Sequence, residues 1–233
     1  QNSLVIEPYS QVVISCMGAI DNTKTYPQSI NYANKDYYTM YDPESGFKNP
    51  KYYPTPADVI PTSQYLKAVE YGQANAWPLS ATSPGFFIFQ TKNTTPAAFA
   101  NDASNITYAP GKAQNKINAV LKVPTDWIID GVEVYEKINE SKSKKRFGSD
   151  VDAGYVMQTV KLGHSVYRNV DVEATKKIEG NTAKLVYNYQ YGADPSHIDA
   201  EASMKSGAKI VYMDTNNSTA DFHERKQFSL RDK

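Results

Sequence analysis

Gly85-Phe86-Phe87-Ile88-Phe89-Gln90 is the most apolar run of the chain, and Trp127-Ile128-Ile129-Asp130-Gly131-Val132-Glu133-Val134-Tyr135 is its longest stretch with strand character. The first is nearly continuous in its hydrophobicity, as expected of a strand covered on both faces. The second alternates through Val132, Glu133 and Val134, the period of a strand with one face inward. The turn at Pro124-Thr125-Asp126 is expected to lie within a strand pair. Working outward, Leu4-Val5-Ile6, Val12-Val13-Ile14 and residues 166–170, 184–189 and 210–213 read as further short strands, and residues 65–69 as a short strand or turn. Helical periodicity is confined to 171–178, 198–205 and Thr95-Pro96-Ala97-Ala98-Phe99-Ala100. In that last segment Thr95 is placed to cap and Pro96 suits the first helical position. The expected class is mostly β: a single β-sandwich domain over residues 1–233, with long loops and a few short helices.

Two insertions decorate that expected scaffold. Residues 21–64 are rich in Tyr, Asn and Asp, and Pro43, Pro50, Pro54, Pro56 and Pro61 forbid a long helix or a central strand there. Tyr32, Tyr37, Tyr38, Tyr41, Tyr52 and Tyr53, with Trp77 beyond them, offer flat amphipathic faces suited to a sugar ring or a protein partner. The same rings equally serve to pad a long loop against its scaffold. The second insertion, residues 136–150, is charged, and reads as a loop or a brief helix.

Composition removes several classes of function. Lys plus Arg is 25 and Asp plus Glu is 25, so there is no basic excess to neutralise nucleic-acid phosphates. The cluster Lys142, Lys144, Lys145 and Arg146 is too small for that task and reads as a solvated face. Cys16 is the sole cysteine, which excludes an intramolecular disulfide and a multi-thiolate metal site; it reads as a small buried hydrophobe. His164, His197 and His223 have no His or Cys at metal-ligand spacing; Asp194 and Asp199 beside His197 could offer carboxylates to a metal, though a turn that starts a helix is the plainer account, and Asp150 with Asp152 makes only half a calcium loop. Ser165 lacks the glycine at 167 that a nucleophile elbow needs, and Gly111-Lys112 lacks the phosphate-loop frame. Asp130 and Glu133 stand three apart on one strand, hence on opposite faces, a poor acid–base pair. No catalytic residue, metal or cofactor is expected. Around His197, Ser196 is expected to cap a helix with Asp199 and Glu201 in its first turn. Arg168 is expected to act structurally, holding carbonyls or a carboxylate such as Asp214 or Asp221.

No apolar run reaches the roughly 18 residues of a membrane-spanning helix. Val13-Ile14-Ser15-Cys16 has the outline of a lipoprotein cleavage box, yet Glu7, Pro8 and Gln11 precede it and no Lys or Arg does, unlike a secretion signal. Gln1-Asn2-Ser3 runs straight into strand material without an initiator Met. The expectation is that an upstream piece, including any export signal, lies outside this sequence. Tyr at 18 of 233 residues, with many Asn, Thr and Ser, has the flavour of exported β proteins.

Several segments together resemble a lamin-tail-like domain: Ile6-Glu7-Pro8-Tyr9-Ser10-Gln11-Val12-Val13-Ile14, Pro84-Gly85-Phe86-Phe87-Ile88-Phe89, the Trp127–Tyr135 strand and Gly163-His164-Ser165-Val166-Tyr167-Arg168. With Val151-Asp152-Ala153-Gly154 and Asp214-Thr215-Asn216-Asn217-Ser218-Thr219-Ala220-Asp221-Phe222, the chain is similar to a family of Bacteroidetes surface lipoproteins, DUF4876. That resemblance implies an immunoglobulin-like sandwich, export with a lipid anchor at the outer membrane, and service beside a TonB-dependent transporter or another surface protein. It implies no catalytic residues, and it implies that the family's first strands lie outside this sequence, where Leu4–Ile14 would find a pairing partner. The expected function is therefore a non-catalytic surface binding or accessory protein; the alternative is an extracellular glycan binder, or glycan-processing protein, that uses the Tyr-rich insertion.

Overall fold

The computed structural model describes residues 5–16, 18–40, 64–66, 85–108, 111–187 and 194–226. Where the sequence suggests one domain, the chain divides into two compact units: Gln1–Leu79 with Thr91–Trp127, and Ser80–Gln90 with Ile128–Lys233.

In the first unit, β1 (Ile14–Ser15), β2 (Tyr38–Met40) and β3 (Tyr65–Leu66) form a parallel sheet in that order. Helix α1 (Pro96–Asn101) begins as the sequence suggests, with Pro96 in its first turn and Thr95 Oγ1 accepting from Ala98 N at 3.1 Å. It buries Phe99 against Trp127, ring centroids 5.0 Å apart. Beyond it β5 (Ile106–Tyr108) and β6 (Ala119–Leu121) pair antiparallel, Ile106 opposite Leu121. The expected strand at 4–6 does not form at Val5 and Ile6, which are exposed. There the chain spends its hydrogen bonds on a turn, with Ser10 N and Oγ donating to Glu7 O and Tyr9 at φ +62°. Cys16 is half-buried rather than buried.

In the second unit, β4 (Gly85–Phe89) pairs antiparallel with β7 (Ile128–Glu136), and β7 pairs parallel with β8 (Val156–Gln158), giving the order β4-β7-β8. β9 (Ser165–Arg168) pairs antiparallel with β10 (Phe222–Arg225). Three short helices accompany them: α2 (Val172–Lys177), α3 (Ala200–Lys205) and α4 (Ser218–Asp221). Val170, Ile198, Ala200, Ala208 and Ile210 form the core, with Val172, Leu185, Met204 and Tyr212 packed on it.

Several expectations are corrected. Among the described residues the strands sort into four small sheets, with helix at 25% and strand at 24%; the fold is mixed rather than mostly β, and the sheets do not establish a sandwich. The 85–89 strand is not covered on both faces. It is an edge strand of its sheet, and Phe87, Ile88 and Phe89 are 38%, 60% and 36% exposed. The turn at 124–126 does not join a strand pair: β6 turns back to β5, and the chain passes into the second unit after Trp127. Of the strand expected at 184–189, residues 184–187 do not form it, because Val186 N donates to Ser203 Oγ and Val186 O accepts from Asp199 N at the start of α3; residues 188–189 lie outside the described residues. Residues 210–213 contribute a single bridge, Tyr212 with Val170, since the N–H groups of Lys209 and Val211 are taken by the side chains of Asn181 and Thr175. Asp199, not Ser196, caps α3, accepting from Ala202 N at 2.9 Å; Ser196 Oγ accepts from Ile198 N instead. Among the described residues no helix is long and apolar enough to cross a membrane.

Candidate functional site

Two fully buried carboxylates of the second unit, Asp152 and Glu133, belong to a clasp between distant loops. Asp152 Oδ1 accepts from Gly154 N (2.9 Å) and Ser218 N (2.8 Å); Oδ2 accepts from Glu133 N (3.0 Å) and Ser218 Oγ (2.8 Å). Burial pushes the Asp152 carboxyl up, but these donors outweigh it and hold its pKa below the ordinary aspartate value. Glu133, fully buried, pairs with Lys145 and accepts from Arg146 N at 2.7 Å. Lys145 is thus not part of a solvated cluster: its ammonium is drawn in to neutralise a carboxylate that would otherwise be buried uncompensated. Gly154 lies against this clasp so closely that a Cβ there would stand 2.1 Å from Asn217 Oδ1 and 2.7 Å from Thr219 N.

Next to it, Arg168 fastens the end of β9. It donates to Asp130 Oδ2 at 2.5 Å and to Met213 O at 3.2 Å, lies 3.8 Å from Asp214 Oδ1, and covers the Phe222 ring at 4.6 Å. Asp130 is the partner that the sequence reading missed; β7 carries it to Arg168 from 38 residues away. Asp221 has a different office. It accepts from Thr215 N (2.8 Å), Thr215 Oγ1 (2.8 Å) and Asn217 N (3.3 Å), which folds the 214–221 loop on itself, while Asn217 caps α4.

A groove of about 390 Å³ opens beside these elements, lined by Tyr155, Val156 and Met157 from β8 and its lead-in, Thr219 from α4, and Phe222, His223 and Glu224 from β10. Its polar members are engaged. Thr219 Oγ1 donates to Tyr155 O and accepts from Tyr155 N. Glu224 accepts from Thr159 N and Thr159 Oγ1 (3.2 Å), pairs with His164 Nδ1 at 2.9 Å and meets Lys137 Nζ at 3.4 Å. Burial raises the Glu224 pKa, and these contacts more than reverse it, leaving the carboxylate below its usual value. Tyr155 stacks on Tyr135 at 4.0 Å between centroids and donates to Glu140 Oε1 at 3.0 Å, a bond that raises its phenol pKa.

This arrangement can grip an apolar or ring-shaped surface through Tyr155, Met157 and Phe222. It offers poor acid–base chemistry, because its carboxylate is held ionised by several donors at once. Asp130 and Glu133, on opposite faces of β7, have separate partners, Arg168 and Lys145. Among the described residues no group of three or more His, Cys, Asp or Glu side chains is placed to hold a metal ion.

Of the aromatic surface expected in the insertion, Tyr37 is buried at 5% exposure and so presents no face to a ligand. Tyr32 and Tyr38 are half-buried, and burial raises the phenol pKa of Tyr32 and Tyr37. Tyr41, Tyr52, Tyr53 and Trp77 lie outside the described residues. The groove was missed because β10 reads as the tail of a polar loop; Phe222 and His223, an apolar–polar step after a capped Asn-Ser-Thr turn, are its one local signal.

A family model described as "Protein of unknown function (DUF4876)" matches residues 7–184. Among solved structures, the chain is similar to a DUF4876 family protein from Bacteroides thetaiotaomicron VPI-5482, a crystal structure at 2.50 Å resolution, with a TM-score of 0.53 and 21% identity. The likeness covers 90% of this chain and 47% of the other, so the chain spans about half that relative's length, and it speaks for the fold alone. No curated protein matches the sequence. Residues 7–184 are well over half of the 233, and the chain belongs to the DUF4876 family of proteins of unknown function.

Proposed function

We propose that this chain is a non-catalytic binding or accessory module, exported, lipid-anchored at the outer-membrane surface, and engaged with another surface protein such as a TonB-dependent transporter. The observation that carries the binding reading is the groove between β8 and β10: its polar groups are spent on internal hydrogen bonds, while Tyr155, Met157 and Phe222 supply adaptable apolar contact. A site built for reaction would instead aim groups of matched pKa at open space. Export and anchoring are supported by the surface-lipoprotein resemblance of the sequence and by its Tyr- and Asn-rich composition. The finer reading of the second unit as an immunoglobulin-like core draws on its antiparallel β4–β7 and β9–β10 pairs.

A glycan ligand is the second reading, favoured by the same groove because a tyrosine face beside polar neighbours suits a sugar ring. The experiment is a pull-down from outer-membrane extract run beside a glycan array, on the wild type and on Met157→Asp and Tyr155→Ala. The expected result is a protein partner lost in both variants; sugar binding lost in both supports the second reading. Binding that is identical in all three chains would refute the groove as the contact surface.

A further inference from the structure

His223 and Arg225 stand two apart on β10 and therefore share a face. Arg225 Nε donates to His223 Nε2 at 2.9 Å. A guanidinium has no acceptor, so Nε2 must carry a lone pair and no proton; the ring is neutral, with its hydrogen on Nδ1. Nδ1 lies 2.6 Å from Asn169 Oδ1, and Asn169 Nδ2 donates to Ala220 O at 2.7 Å, which fixes the orientation of the amide. Arg225 continues to Glu201 Oε2 on α3 at 3.0 Å and covers the Tyr167 ring of β9 at 3.9 Å. One imidazole thus joins β10, the residue after β9 and, through an arginine only 4% exposed, α3.

We infer that His223 is an acid-sensitive latch: a proton taken up from solvent at Nε2 breaks the Arg225 bond and sets two cations side by side, so the guanidinium loses the acceptor that aims it at Glu201 and the hold of β10 on α3 loosens. The charged groups facing it are Arg225 on its own strand, Glu201 from α3 and Asp194 from the loop before α3; Tyr167 packs against it from β9, centroids 6.1 Å apart. Burial disfavours the charged ring most, Arg225 adds to that, and Asp194 and Glu201 oppose it, leaving a pKa of about 4. The unfolded chain, with its histidine near 6.5, binds the proton first, so folding loses stability as pH falls from 6.5 towards 4 and gains nothing from His223 above that window. His223 also lines the groove, so release would reshape one wall of it; that consequence rests on the groove being a binding surface, and the latch itself does not.

The test is a side-chain nitrogen NMR titration of the full chain. The expected result is a His223 ring protonated on Nδ1 at pH 7, with a midpoint near 4 that moves upward in Arg225→Gln. His223→Gln keeps an oxygen for Arg225 Nε and an N–H for Asn169 but cannot titrate; its melting temperature should fall less than that of the wild type between pH 6.5 and 4. A midpoint near 6.5, an Nε2-protonated ring, or equal acid dependence in both chains would overturn the latch. Should His223→Gln fail to fold, the wild-type titration decides alone. Unchanged binding in the groove variants would sink the proposed function and leave this titration untouched.

Discussion

The second unit holds two polar networks built on opposite plans. Around Asp152, a single carboxylate receives four donors from β7, the 152–154 turn and α4, all buried and none ionisable near neutral pH. Around His223 and Glu224, on the strand that walls the groove, the links run through imidazoles, a lysine and an arginine. The first joins distant loops through one carboxylate and fixed backbone and hydroxyl donors; the second runs through side-chain pairs, and its His223 loses the Arg225 bond when protonated. Stability and adaptability are thus segregated within one unit, the first under the 214–221 loop and the second along β10.

The contrast is broken hardest at Gly154. A Cβ there would collide with Asn217 Oδ1 and the Thr219 backbone, and the 214–221 loop could yield only by releasing Asp152. Gly154→Ala should cost about 3 kcal/mol or more, read by denaturant unfolding. A variant as stable as the wild type would mean that the clasp is not closed.

Asp152→Asn comes next. Its two oxygens each accept two donors, and an amide replaces one acceptor with an NH2 group that faces N–H and O–H donors. The expected loss at pH 7 is about 2 kcal/mol. Because the folded pKa of Asp152 lies below the ordinary 3.8, its contribution is complete above that value and lost as pH falls through the lower folded one. The gap between variant and wild type should therefore narrow only in strong acid. A gap that closes by pH 5 would assign the effect elsewhere.

The smallest effect belongs to Arg168→Ala, which removes a half-buried ion pair with Asp130, a bond to Met213 O and the cover of Phe222. About 1 kcal/mol is expected, visible as a lowered melting temperature. Asp130→Asn should reproduce most of it, and Asp214→Asn little, since Asp214 is 52% exposed and 3.8 Å away. Equal effects from the two aspartates would make the guanidinium a surface charge rather than a fastener.

What the sequence made legible was local. The Thr95-Pro96 start of α1, the helices near 171–178 and 198–205, and the strands at 85–89 and 128–136 follow from capping chemistry and periodicity. Pairing was not legible, because it depends on which side chains satisfy a backbone from far away. Asn181 takes Lys209 N, Thr175 takes Val211 N and Ser203 takes Val186 N, so stretches that look like strands remain unpaired. The same holds for the site. Arg168 could be marked as a fastener from its place in a strand, yet Asp130 could not be chosen over Asp214 without β7 beside β9. The aromatic insertion drew notice by composition, whereas the groove depends on Tyr155 and Phe222, 67 positions apart, meeting beside Thr219.

The most direct measurement is photo-crosslinking in cells that express the protein, with the reactive side chain placed at position 157 in the groove and, as a control, at position 138, where Ile138 is 79% exposed outside the groove lining. A discrete adduct from position 157 and none from 138 is the predicted outcome. No adduct from 157, or the same products from both positions, would contradict the assignment of the β8–β10 groove as the working surface.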